Sequence, residues 1–265
     1  MAALLARHAP FACNRPSRLT SMRAMASRPT LYDLPVSNNG ARNRYIIRKK
    51  GLTEEIDIVS PQTIGGLKSP QYLALNPQGK MPLLITADGT PLPESEVISQ
   101  YLLDKYSGRG ASLVASTPEG RAKAALATRI HDVYIVPIQG AMYRTMDSAE
   151  TRAKQIEQIA FQLDVLEGIV QGPYVAGSEV TAADAALFPT FVFFEFILPT
   201  YFGWADVFAG RPKLGAWWAA MKADPVAAQI MEEVRGGLRG WAANNRWRDQ
   251  GIEAHVADKS FKWAY

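Results

Sequence analysis

The chain has 265 residues, 48% hydrophobic and 20% charged, with a net charge of +4; that length supports two compact cores, and the composition is that of an ordinary globular protein. The excess positive charge sits in the first 28 residues, where Arg7, Arg15, Arg18, Arg23 and Arg28 stand without an acid, and the remainder holds 24 basic against 25 acidic residues, which leaves no basic footprint for nucleic acid. The one cysteine, Cys13, and His8 fall in the same leader, while His131 and His255 are far apart, so a disulfide, a cysteine metal site and a histidine zinc site all lack their residues in the body.

Residues 1–28 are rich in Ala, Arg and Ser and free of acid before Asp33. They read as an organellar transit peptide, with the plastid expected and the mitochondrion as the alternative. Initiation at Met25 would give a cytosolic form, and a solvated tail is the plainer reading of the same composition.

From residue 29 onward the elements come quickly. Thr30–Leu34 reads as a strand, and Asn39–Lys50 as a helix carrying Tyr45, Ile46 and Ile47 and stopped by Gly51. Glu55–Val59 alternates as a half-buried strand, and Ser69–Leu75 suits a short helix. Met81–Thr86 is a third strand, Ala87-Asp88-Gly89-Thr90 a hairpin turn, Leu92 part of a fourth strand ended by Pro93, and Ser95–Tyr106 a helix. The order β-α-β-α-β-β-α over residues 29–106 is that of a thioredoxin-like α/β domain. A linker at 107–117 follows, and everything from 118 to 243 reads as an all-α helical bundle. Its helices are expected at 118–143 with a bend at Pro137, 149–170, 181–198, 213–222 and 225–241. Residues 244–265 form a tail without clear periodicity, expected to drape over the body.

The most apolar stretch, 185–204, contains Pro189, Glu195 and Pro199, which favours a buried core helix over a membrane span. No phosphate-binding glycine loop is present.

Three places could carry chemistry. Ser37 lies between a strand and a helix: it reads either as an N-cap or as a hydroxyl that, with the positive helix end, donates to an anion such as a thiolate. Lowering a thiol pKa by about two units needs roughly 2.7 kcal/mol, within reach of that pair. Asn38, Asn39 and Arg42 are its polar neighbours, as support or as ordinary turn and surface residues. Met81-Pro82 opens a strand, either as a common trans proline or as a cis bond that presents the Met81 backbone to an extended peptide. Glu94-Ser95 starts a helix, where Ser95 either caps or binds a carboxylate while Glu94 meets an ammonium group. Lys68 and Lys80 read as surface lysines or as partners of a second carboxylate. His131, inside a helical pattern, reads as structural.

Together these stretches resemble a soluble glutathione transferase over about residues 30–243. Ser37-Asn38-Asn39-Gly40-Ala41-Arg42-Asn43-Arg44 is similar to the Ser-Pro-Phe-Gly-x-Arg-x-Arg stretch of tau-class plant members. Gly66-Leu67-Lys68-Ser69-Pro70 with Asn76-Pro77-Gln78-Gly79-Lys80-Met81-Pro82 resembles the phi-class pattern, and Gly177–Asp184 looks like the family's buried capping segment, with Thr181 and Asp184 at capping-box spacing. The resemblance implies that Ser37 stabilises the glutathione thiolate and that Lys68 and Lys80 lie near the glycyl carboxylate. It further implies that Met81 pairs with the cysteinyl backbone ahead of a cis Pro82, and that Glu94 and Ser95 hold the γ-glutamyl end.

The same resemblance implies conjugation to a small hydrophobic electrophile lodged between the domains. Tyr134, Met142, Tyr143 and aromatics of the 188–204 region are candidates for its lining, with ordinary core packing as the plainer reading of most of the aromatics. Glutathione would be a co-substrate, with no metal or other cofactor, and the assembly a homodimer. A non-catalytic ligand carrier and a glutathione-dependent peroxidase are the alternatives. Leu67 stands where the phi class commonly has His, Asn38-Asn39 replaces Pro-Phe, and no cysteine occupies position 37, which disfavours the cysteine-dependent members.

Overall fold

A computed structural model describes residues 28–265; the expected leader, Cys13 and His8 lie outside the described residues, apart from Arg28, which pairs with Asp57 at 3.3 Å. The first domain runs β1 (Thr30–Tyr32), α1 (Asn38–Lys49), β2 (Asp57–Val59), α2 (Pro70–Leu75), β3 (Leu83–Ile85), β4 (Pro91–Pro93) and α3 (Ser95–Lys105). The sheet order is β2-β1-β3-β4, with β1 parallel to β2 and the other two pairs antiparallel. Each expected element is present, shortened by a residue or two where strands fray. One periodic reading fails. Glu55 and Ile56 still belong to a turn closed onto the Leu52 carbonyl, so Ile56 is buried before β2 begins, while Ile58 on the edge strand is 39% exposed.

The register sets up the site. Tyr32 at the end of β1 pairs with Leu83 at the start of β3, and Leu83 pairs with Pro93 at the end of β4. The segments 33–37, 81–82 and 94–95 therefore leave the sheet at one edge.

The helical domain comprises α4 (Pro118–Ile130), α5 (Ala149–Ile169), α6 (Ala182–Phe202), α7 (Pro212–Ala223) and α8 (Pro225–Ala243), followed by the short α9 (Arg246–Asp249) and α10 (Ile252–Ala257). The single helix expected over 118–143 is broken into α4, a π-turn at His131–Ile135 and a 3₁₀ turn at Gln139–Met142. Pro137 has no N–H to continue the ladder, and the π-turn starts the departure six residues earlier. Helix α6 carries its capping box as the spacing implied, with Asp184 accepting from the Thr181 N–H at 2.7 Å. By length and composition α6 could cross a membrane, yet 72% of that stretch is buried; it is the core helix of the bundle, packed against α1, α4 and α8.

The tail is ordered by aromatic contacts rather than by periodicity. Trp247 is buried, donates to the Met142 carbonyl at 2.9 Å and stacks on Tyr201 at 4.2 Å.

Candidate functional site

Ser37 is the N-cap of α1: its Oγ accepts from the Gly40 N–H at 3.0 Å. The two sequence readings are thus compatible, because capping uses a lone pair of the oxygen and leaves the O–H to donate elsewhere. No acid belongs to the first turn of α1 itself, so its positive end favours an anion. Asn39 is half-buried in that first turn.

Asn38 and Arg42 do something other than touch an incoming ligand. Asn38 Nδ2 donates to Gln139 Oε1 at 2.8 Å and to Thr190 Oγ1 at 2.9 Å, tying α1 to the helical domain. Arg42 is fully buried and pairs with Glu96 of α3 at 3.2 Å and with Asp132. His131 is also buried, 2.8 Å from both Thr190 Oγ1 and Asp132 Oδ1. Burial opposes charge on the Asp132 carboxyl, but His131 and Arg42 outweigh it and hold its pKa well below the usual range; burial lowers that of His131. His131 is structural, as its sequence setting indicated.

Opposite Ser37, the Met81-Pro82 peptide is cis. The Met81 N–H and carbonyl make no hydrogen bond among the described residues, so this stretch of backbone is available to a peptide ligand. The Lys80 carbonyl accepts from the Tyr72 hydroxyl and from Asn76 Nδ2, both at 2.8 Å, while the Lys80 side chain is exposed. A Cβ on Gly79 would fall 2.9 Å from Lys68 Nζ, which places the Lys68 ammonium beside the same loop.

Glu94 is exposed, with a φ of 72°, a conformation costing a non-glycine residue about 1–2 kcal/mol. It occupies the N-cap position of α3 without a side-chain cap bond, and Ser95 is the first helical residue rather than the cap. The first intrahelical bond runs from the Ile98 N–H to the Glu94 carbonyl, so the three preceding N–H groups remain open to an anion. Asn43 of α1 donates to the Ser95 carbonyl at 2.9 Å, holding the two helix starts side by side.

An aromatic cluster follows from three contacts that tie the segment around Ser37 to the helical domain. A Cβ on Gly237 of α8 would fall 2.4 Å from the Val36 Cβ, so only glycine permits this approach, and Asn38 is fixed to Gln139 and Thr190. One turn beyond each anchor stand Trp241, Tyr143 and Phe193, and these three meet: Tyr143 lies 5.5 Å from Phe193 and 5.6 Å from Trp241, ring to ring. Arg246 covers Trp241 at 4.0 Å and donates to the Tyr143 carbonyl. Of the expected lining residues, Tyr143 belongs to this cluster and is itself buried. Met142 is completely buried, and Tyr134 is 56% exposed on the π-turn. Trp241 was not legible as a partner because nothing local links it to residue 143.

A thioredoxin-like sheet whose helix α1 packs against α6 and α8 of an all-helical domain defines the class of protein. Residues 31–110 match the family model "Glutathione S-transferase, N-terminal domain", and residues 149–220 match "Glutathione S-transferase, C-terminal domain". The chain is 33% identical over 216 residues to glutathione S-transferase 3 of Zea mays, covering 77% of this chain and 93% of that protein. It is 28% identical over 202 residues to glutathione S-transferase F10 of Arabidopsis thaliana, covering 71% and 89%. Among solved structures, glutathione S-transferase III in its apo form superposes with a TM-score of 0.64 at 30% identity, over 78% of this chain and 97% of that one. The fold is shared as well with glutathione transferase F7 from Populus trichocarpa, at a TM-score of 0.66 and 24% identity, over 78% and 99%. The chain belongs to the soluble glutathione S-transferase superfamily.

Proposed function

We propose that this chain conjugates the glutathione thiolate to small hydrophobic electrophiles, with Ser37 holding the sulfur. The observation that carries this reading is the register Tyr32–Leu83–Pro93, which delivers a helix-capping hydroxyl, an unpaired backbone edge at Met81 and an open helix start at Glu94-Ser95 to one side of the sheet. Those are an anion donor for sulfur, a pairing edge for the cysteinyl backbone and a site for the γ-glutamyl end. Lys68 and Lys80 would meet the glycyl carboxylate. Positioning and thiolate stabilisation then supply the catalysis.

A conjugation assay with a model aryl halide tests it: Ser37→Ala should lower turnover roughly 10²-fold while glutathione still binds by titration calorimetry. Turnover lost in both proteins with binding retained would turn the reading into a ligand carrier, and faster turnover of an organic hydroperoxide than of any aryl halide would make it a peroxidase. Glu94→Ala should weaken glutathione binding with little change in stability; unchanged affinity would take Glu94 out of the site.

Exposed Val97 on α3, Leu126 on α4, and Val133 and Tyr134 on the π-turn support a homodimer, which light scattering on the eluting protein would test. The leader composition supports import into a plastid; residues 1–29 fused to a fluorescent reporter should reach the organelle, and a diffuse signal would refute it.

A further inference from the structure

Asp33 has no part in the reading above, yet its carboxylate packs against Gly40, the residue that Ser37 caps. Asp33 is the residue after β1 and only 3% exposed. Its Oδ2 pairs with Arg44 of α1, whereas its Oδ1 has no hydrogen-bond partner. The carboxylate fills the space that a side chain on Gly40 would need: a Cβ there would fall 1.8 Å from Oδ1 and 2.1 Å from Oδ2. Gly40 is the residue whose N–H holds Ser37 Oγ at 3.0 Å. Carboxylate and hydroxyl therefore border the same glycine, one at its Cβ position and the other on its N–H, and the hydroxyl is among the groups that favour the ionised carboxyl.

A buried carboxylate so placed conflicts with a thiolate at Ser37, because two like charges in a poorly solvated site repel. The conflict vanishes if the two anions share one proton. We propose that Asp33 is the positioning residue that takes up the proton of the bound glutathione thiol, acting through the Ser37 hydroxyl. The S–H bond breaks as a new Ser37 O–H bond forms, and the O–H that Ser37 already held breaks as an Oδ1–H bond forms on Asp33. The negative charge moves from carboxylate to sulfur, the site's net charge stays constant, and Ser37 is left donating to the thiolate.

The surroundings suit an acceptor that works near neutrality. Burial pushes the Asp33 pKa up to about 6, with Arg44, the Leu34 backbone and Ser37 pulling it down, so the carboxylate is ionised and ready at neutral pH. The groups facing it are few. Arg44 also donates to the Leu34 and Pro35 carbonyls and pairs with Glu233 of α8, which pairs in turn with Arg48. Tyr72 of α2, pushed up to about 12 by burial and by Asp33 itself, stays neutral across the working range.

The proposal rests on the glutathione reading, and the test separates the two. Glutathione is titrated into the full chain at about pH 7.5, in buffers of different ionisation enthalpy, while thiolate is followed by its ultraviolet absorbance. The expected result is thiolate formation with close to zero protons released to the buffer. Asp33→Asn, checked for folding by circular dichroism, should release about one proton for each thiolate formed and turn over roughly 10²-fold more slowly. Release of about one proton per thiolate by the wild type overturns the relay and leaves the transferase reading intact, whereas binding without thiolate overturns the relay together with the thiolate role of Ser37. The wild-type measurement decides this even if the variant does not fold. Absence of any binding heat would overturn the relay and the transferase reading together.

Discussion

Asn38 Nδ2 lies 2.9 Å from Thr190 Oγ1, a buried hydrogen bond that joins the first turn of α1 to the middle of α6, 152 residues away in sequence. Because Asn38 follows Ser37 directly, the helical domain helps to place the serine.

Asn38→Ala should therefore cost more than its size suggests. It removes the donor from Gln139 and Thr190 in a dry setting, so a loss of about 1–3 kcal/mol is expected in urea denaturation, together with lower turnover at unchanged glutathione affinity. A stability change without any change in turnover would mean that the bond does not position Ser37.

Stability should carry the imprint of Asp33. Its carboxyl is raised from an ordinary 3.8 to about 6 by burial, so between those values the folded chain binds a proton that the unfolded chain has lost. The contribution is fully present below pH 3.8 and fades as pH rises through about 6, by an amount of about 3 kcal/mol. Asp33→Asn does not titrate. Its stability relative to wild type should rise between about pH 4 and pH 7 and then level off, and a flat difference in denaturation midpoints would refute the shift. Taking the difference removes the contributions of other carboxylates.

Trp241→Ala should raise KM for aryl electrophiles about tenfold, the order of one lost aromatic pair, with KM for glutathione unchanged. The cluster of Tyr143, Phe193 and Trp241 belongs to the helical domain, whereas the backbone edge proposed to hold the peptide belongs to the sheet. Equal effects on both substrates would show that the cluster only supports the fold.

Asp184→Ala should fail more severely than any site variant. The buried carboxylate accepts from the Thr181 N–H and hydroxyl, the Val175 N–H at 2.9 Å and Trp217 Nε1 at 2.9 Å. Removing it strands several donors, at a cost of about 3 kcal/mol or more, so aggregation or a large fall in the urea midpoint is expected. Asp184→Asn, which keeps an acceptor, should fall between.

The amino-acid sequence by itself determined the element order, the thioredoxin-like and helical halves, the capping of α1 and α6, and Ser37, Met81, Glu94 and Ser95 as candidates. All of these are written in local chemistry: a cap three residues from its N–H, proline and glycine at turns, apolar spacing on one face. The break of the 118–143 helix was half legible, since Pro137 marked a bend while the π-turn at His131–Ile135 left no local mark. Only the tertiary structure decided that Asn38 and Arg42 brace the domains, that Trp241 meets Tyr143 and Phe193, and that the tail is pinned by Trp247. It alone brought the unpaired Asp33 oxygen against Gly40, the residue that Ser37 caps. Those relationships depend on which helix faces meet and how closely two backbones approach, and a residue's own neighbours in the chain carry no record of a partner a hundred positions away.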